Sequence, residues 1–390
     1  MPQKQPAVWL IMLLAAVIAT TPLAIDMYLP AMPMMARDLD TTVSMIQQSL
    51  SIYLAAFAIG MLLAGPLADS LGRRPLAMFG LTGFMVASMA IGFTSSVEGL
   101  LFWRAAQAFC GSAATVVVPG IVRHLYKEHT AKGMSYVAMI MMLAPLIAPT
   151  FGSAILLVGS WQMIFIAMGC YSLVVLILCW FFLPEIKPAG SPRNIAFLDG
   201  YKTVYALPAA WPYIATTVCA SFSFFCFLTA VSFVYIEYFG VSEQTFALLF
   251  GANVVILILA NFINSRLVTR LKPHRMLKFT LLSASVFSVL LVLFNYWQLG
   301  LWFTVIAIAP LLASLSLSAT NSDAITLMKF PEHTGTATAV TGTLRFGFGA
   351  LAGPLLAFLH DGTPLPFALL MLAGVICIAG CQLWARLYRA

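Results

Sequence analysis

Three ionisable side chains stand where the surrounding sequence is otherwise apolar. Asp26 lies in "LAIDMYLPAMP", Arg104 in "RAAQAFCGSAA" and Arg345 in "LRFGFGALAG". A carboxyl group in apolar surroundings takes up and releases a proton at a cost set by its neighbours, and a guanidinium nearby offsets its charge. A guanidinium without an acid can instead receive an acceptor group of a ligand. Proton exchange and polar recognition inside a hydrocarbon environment are therefore the chemistries these residue types allow.

The elements that must position them follow from composition. Of 390 residues, 62% are hydrophobic and only 8% charged, outside the mix of a soluble globular domain. Apolar runs of about 20 residues, each long enough to cross a bilayer as a helix, recur between Val8 and Tyr388. Twelve such runs predict an all-α polytopic membrane protein with twelve transmembrane helices. They lack the strict alternation of a β-barrel strand. Lys4 precedes an apolar segment containing "LLAA", as in a secretory signal, yet that segment is too long for a signal core and carries Asp26 and two prolines beyond it. The seven cysteines all fall inside the runs and read as small packing residues, with neither disulfide nor metal implied.

Lys and Arg set the orientation, because positively charged loops stay cytoplasmic. With both termini inside, all of the 20 Lys and Arg except Arg37, Arg104 and Arg345 fall on the cytoplasmic side. The formal charge of +7 is thus a matter of topology and gives no support to a nucleic-acid partner. Asp26 lies about 18 residues, or roughly 27 Å, along an outward-running first span. Arg104 lies within roughly 10 Å of the outer end of an inward-running fourth span. Their depths overlap, so mutual neutralisation is expected if the two spans face one cavity. Two readings stay open: a permanent ion pair holding helices together, or a proton carrier tuned by its arginine.

The other acids are placed in loops or near helix ends, Glu237 and Asp323 among them, which leaves Arg345 without an intramembrane acid beyond Asp26. It either stacks on Phe346 or Phe348 and bonds to backbone carbonyls, or points into a cavity where a substrate offers an anionic or strongly accepting group. Tyr53, Met139, Met142, Phe222, Phe225, Tyr235 and Asn253 are candidate lining residues, since methionine and aromatic side chains adapt to varied shapes while an amide orients them. With 20 Met and 29 Phe in the chain, each is also what ordinary packing would supply.

The longest break contains "PEIKPAGSPRN" and divides the chain into an N-terminal six-helix bundle (1–184), a cytoplasmic linker (185–210) and a C-terminal six-helix bundle (211–390). A weak repeat joins the halves: "LADSLGRRP" from Leu67 and "LVTRLKPHR" from Leu267 both follow a second span. Two pseudo-symmetric halves point to a transporter with its site at the midplane. No G-x-x-x-x-G-K, no H-E-x-x-H and no soluble domain able to hold a nucleotide is present, so energy must come from a gradient and no enzyme, cofactor or metal is expected. A channel would repeat a charged ring or carbonyl filter, and neither is visible.

Along its whole length the chain resembles the major facilitator superfamily. Within it, "LAIDMYLPAMP", "GPLADSLGRRP", "LAPLIAPTFGS" and "GTLRFGFGALAG" resemble the bicyclomycin and chloramphenicol resistance (Bcr/CflA) branch of drug:proton antiporters. Gly65, Asp69, Gly72, Arg73 and Arg74 match the superfamily's loop motif between spans 2 and 3, which implies gating, with Arg123 as the expected partner of Asp69. Arg104 and Gln107 match an Arg-x-x-Gln-Gly motif in which Ala108 and Cys110 replace glycines; Gln107 is taken as a substrate contact beside Arg345. Pro149 and Gly152 match the antiporter motif Gly-Pro-x-x-Gly-Gly, with Ala148 and Ser153 for glycines. The resemblance implies a proton-coupled antiporter of the bacterial inner membrane, its partners being protons, lipid and a small amphipathic drug or xenobiotic, acting as a monomer by alternating access. A dedicated exporter of an endogenous metabolite, such as a siderophore, amino acid or nucleoside, is the alternative.

Overall fold

The computed structural model describes residues 8–126, 130–185, 202–330 and 334–388. They form α1 (Val8–Asp26), a 3₁₀ turn Leu29–Ala31, α2 (Met32–Asp38), α3 (Val43–Leu71), α4 (Arg73–Gly92), α5 (Val97–Tyr126), α6 (Thr130–Val158) and α7 (Gln162–Phe182). After a second 3₁₀ turn, Pro208–Ala210, come α8 (Trp211–Ser232), a π-helical segment Phe233–Tyr238, α9 (Glu243–Leu271), α10 (Pro273–Tyr296) and α11 (Leu301–Lys329). The chain finishes with α12 (Thr334–Gly349), α13 (Ala352–Leu359) and α14 (Leu365–Arg386). Twelve spans among the described residues are long and apolar enough to cross a membrane. Large apolar side chains such as Phe102, Trp180, Phe262 and Leu282 stay exposed, as expected where the surrounding solvent is lipid.

Two compact units are present, Met1–Thr42 with Ile52–Ser191, and Val43–Ser51 with Pro192–Ala390. The first packs around Leu14, Ala114, Val118 and Ile121. The second has a core of Val204, Ala210, Ile214, Phe330 and Val340. Val204 and Ala210 are therefore core residues, although the sequence reading places them in the linker. Residues 186–201 of that linker lie outside the described residues.

Proline spacing explains where two spans break. A proline ring collides with the carbonyl four residues before it. Pro30 disfavours continued α-helix at Asp26, and α1 ends on that residue, although the same helix runs through Pro22. Pro354 acts likewise on Ala350, in the gap between α12 and α13. Polar sequence, in contrast, does not end a helix. The sequence reading places Asp323 in a loop or near a helix end, but α11 continues to Lys329. Asp323 thus sits inside a helix and not at its end.

The weak repeat is a backbone repeat. Gly72 before α4 has φ 96° and ψ 157°, and Lys272 before α10 has φ 63° and ψ 150°. Both turns need a conformation that lacks room for a Cβ, and only the first has glycine. Lys272→Gly is expected to raise the thermal midpoint in detergent, by relief of about 1 kcal/mol or more of backbone strain. A fall in midpoint would mean that the Lys272 side chain contributes more than its backbone costs.

Candidate functional site

Asp26 is 4% exposed at the end of α1. Its carboxyl has no ion-pair or hydrogen-bond partner among the described residues. The break after it is packed against α6, where a Cβ on Gly152 would collide with the Met27 carbonyl oxygen. Pro149 of the same motif is also buried. Gly152→Ala is therefore expected to destabilise the protein by about 1–3 kcal/mol, the usual cost of overpacking, and to lower the thermal midpoint. An unchanged midpoint would show that α6 has room to retreat.

Arg104 is fully buried on α5, and the expected ion pair with Asp26 is not formed. Its Nη1 donates to the Ala24 carbonyl at 3.0 Å and to Gln107 Oε1 at 2.7 Å. The guanidinium carbon lies 4.4 Å from the ring centre of Tyr28, 4.5 Å from that of Tyr53 and 5.7 Å from that of Phe165. Three aromatic rings thus offset a charge that the sequence reading assigned to a carboxylate. Nε and Nη2 have no hydrogen-bond partner among the described residues, which fits a cation held mainly by ring faces. Gln107 completes the connection by donating from Nε2 to Ser88 Oγ at 2.7 Å, and Ser88 donates to the Phe84 carbonyl at 2.7 Å. Tyr53 lies in this cage, stacked on Phe57 at 6.1 Å between centroids. Tyr28, Phe165 and Ser88 were missed. Nothing in their local sequence separates them from packing residues.

The second unit holds a charge pair. Arg345 Nη2 on α12 meets Asp323 Oδ2 on α11 at 2.7 Å. Thr217 on α8 donates to the other oxygen, Oδ1, at 2.8 Å. This overturns the reading of Arg345 as a cation with no acid but Asp26 to pair with. The sequence reading had placed Asp323 in a loop or near a helix end, whereas α11 carries it beside α12. The pair lines a cavity of about 300 Å3 together with Phe224, Phe225, Leu257 and Phe346. Phe225 and Phe346 have centroids 5.7 Å apart.

The remaining sequence candidates are dispersed. Tyr235 and Asn253 are buried away from that cavity's lining, with Tyr235 set edge-on to Phe246 at 6.2 Å. Phe222 is half-buried and does not line the cavity. Met139 is 62% exposed and absent from the Arg104 cage, and the Met142 side chain lies outside the described residues. In the loop motif, Arg73 donates to the Gly120 carbonyl at 2.9 Å and Arg74 to that of Trp180. These arginines tie the start of α4 to α5 and α7. Among the described residues, the space beside Gly65 is open. Arg123 is exposed, and its expected partner, the Asp69 side chain, lies outside the described residues.

Comparison with known proteins adds the following. A family model described as Major Facilitator Superfamily matches residues 13–354. A bicyclomycin resistance protein homolog of Haemophilus influenzae is 32% identical over 368 residues, covering 91% of this chain and 90% of its own. A chloramphenicol resistance protein of Pseudomonas aeruginosa is 30% identical over 301 residues, 75% of this chain and 71% of its own. Among solved structures, the E. coli xylose transporter XylE in a partially occluded inward-open conformation superposes with TM-score 0.72 at 13% identity, covering 95% of this chain and 96% of that one. A bacterial homolog of the human lysosomal transporter Spinster gives 0.74 at 14%, covering 97% and 96%. At such identities the structures speak for the fold.

Proposed function

Because the chain belongs to the Major Facilitator Superfamily, we propose that it exports small amphipathic drugs or xenobiotics across the bacterial inner membrane in exchange for protons. The observation that carries the reading is the enclosed Asp26 carboxyl, at a proline-broken helix end, two residues beyond the carbonyl that holds Arg104. An ionised carboxylate deep in a membrane protein is costly unless offset, and such residues mark ion pathways. In this reading Asp26 carries the coupling proton, and Arg104 is the cation that offsets Asp26 when the proton leaves. Proton and substrate then compete for one state of the site, and that competition produces exchange.

Similarity to bicyclomycin and chloramphenicol resistance proteins supports drug export over a dedicated metabolite exporter. The halves 1–184 and 211–390 act as the moving bodies of alternating access, with both termini cytoplasmic and the loop-motif arginines Arg73 and Arg74 coupling helix ends during the change. Within the second unit, Phe225 and Arg345 are the proposed substrate contacts. Reconstituted vesicles with an internal pH dye test the reading: adding a phenicol should evoke proton movement that dissipates with an uncoupler. Drug uptake without any proton movement would overturn proton coupling.

A further inference from the structure

We propose that the Asp323–Arg345 pair is the recognition element of a site for aromatic zwitterions, molecules bearing an ammonium and a carboxylate on one ring-containing body. The inference deepens the transport reading and rests on it for why such a molecule would be carried. Its structural basis is independent of Asp26.

Four observations lead to it. First, the pair is accessible, with the Arg345 and Asp323 side chains 33% and 35% exposed. Second, it stands at the boundary of two cavities. On one side is the space of about 300 Å3 walled by Phe224, Phe225 and Phe346. On the other is a space of about 130 Å3 lined by the same two charges with Thr326, Ala337, Thr341 and Gly342. Third, Arg345 is only partly engaged: among the described residues Nη2 is the one guanidinium nitrogen with a hydrogen-bond partner, Asp323. A guanidinium carries five donors, and a carboxylate accepts parallel bonds from one of its edges. Fourth, Thr217 holds Asp323 from the far side through Oδ1, so the acid stays in place when a ligand competes for Arg345.

Charge balance then selects the ligand. An anion drawn to Arg345 brings a negative charge beside Asp323, and a cation drawn to Asp323 leaves it beside Arg345. Each monovalent ligand gains one partner and meets one repulsion. A zwitterion supplies both partners at once, so one ion pair becomes a ring of alternating charges with no net charge added to a partly desolvated site. The three phenylalanines provide the wall for an aromatic body through offset or edge-to-face contact.

The test uses three probes that share one indole body: tryptophan, tryptamine and indole-3-propionate. Titration calorimetry on the purified protein in detergent should show tryptophan binding about tenfold or more tightly than either relative, the discrimination expected from one charge-assisted contact. Asp323→Asn and Arg345→Gln should each erase that preference. Should a single variant fail to fold, the double exchange Asp323→Arg with Arg345→Asp keeps the pair and should keep the preference. Equal binding of the three probes to the native protein, or an undiminished preference in Asp323→Asn, overturns the inference. The antiport reading fails separately: zwitterion preference with no proton movement in vesicles would remove that reading and leave the site standing.

Discussion

Vesicles carrying Asp26→Asn are expected to retain the fold and drug binding and to lose proton-driven export. Asparagine matches the shape of aspartic acid but cannot cycle a proton. The native carboxyl is enclosed and has no partner among the described residues, so the substitution breaks no ion pair and the thermal midpoint should move little. Transport, by contrast, loses its driving step. Accumulation under an imposed pH gradient should fall to the level of empty vesicles, a loss of about a hundredfold or more, as for removal of an essential proton-transfer group. Drug exchange between two compartments without a gradient should survive, since it needs substrate binding and not proton release. Concentrative export that persists in Asp26→Asn would place the coupling proton elsewhere.

Removing the caged arginine should instead damage the fold. Arg104→Ala leaves a void between Tyr28 and Tyr53 and deprives the Ala24 carbonyl and Gln107 Oε1 of their donor. The combination is expected to cost about 3–5 kcal/mol, the range for truncating a buried charged group in a hydrogen-bonded setting. Arg104→Lys retains charge and can still donate but loses the planar stack, and should cost about 1–2 kcal/mol. Thermal midpoints in detergent should therefore fall in the order native, lysine, alanine. The relation to Asp26 is also testable. If Asp26 and Arg104 formed an ion pair, removing Arg104 would hurt less in an Asp26→Asn background. With the guanidinium on rings and a carbonyl, the two losses should add within about 0.5 kcal/mol. A milder double variant would restore the ion pair to this conformation.

Hydropathy was sufficient for the twelve spans, because a helix long enough to cross a bilayer must be apolar over its whole length. The end of α1 at Asp26 was not legible in it, since the apolar run continues past that residue and α1 itself tolerates Pro22. The same signal failed at the far end of α11. Hydropathy reports where lipid-facing sequence stops, not where hydrogen bonding along a helix stops, and Asp323 fell in the difference.

The residues able to do intramembrane chemistry, Asp26, Arg104 and Arg345, were visible from charge in apolar sequence alone. Their partners were not. Arg104 meets a ring 76 residues away at Tyr28 and another 51 away at Tyr53, and Arg345 meets an acid 22 residues away on a neighbouring helix. Depth along a span follows from counting residues at a fixed rise, but the face each helix turns to its neighbours depends on how both pack, through contacts such as Gly152 on the Met27 carbonyl. A set of aromatic rings or a carboxylate can offset a buried guanidinium, and sequence supplied candidates of both kinds. Only the packing of α1, α3 and α7 around α5, and of α8 and α11 beside α12, decided which of them each arginine received.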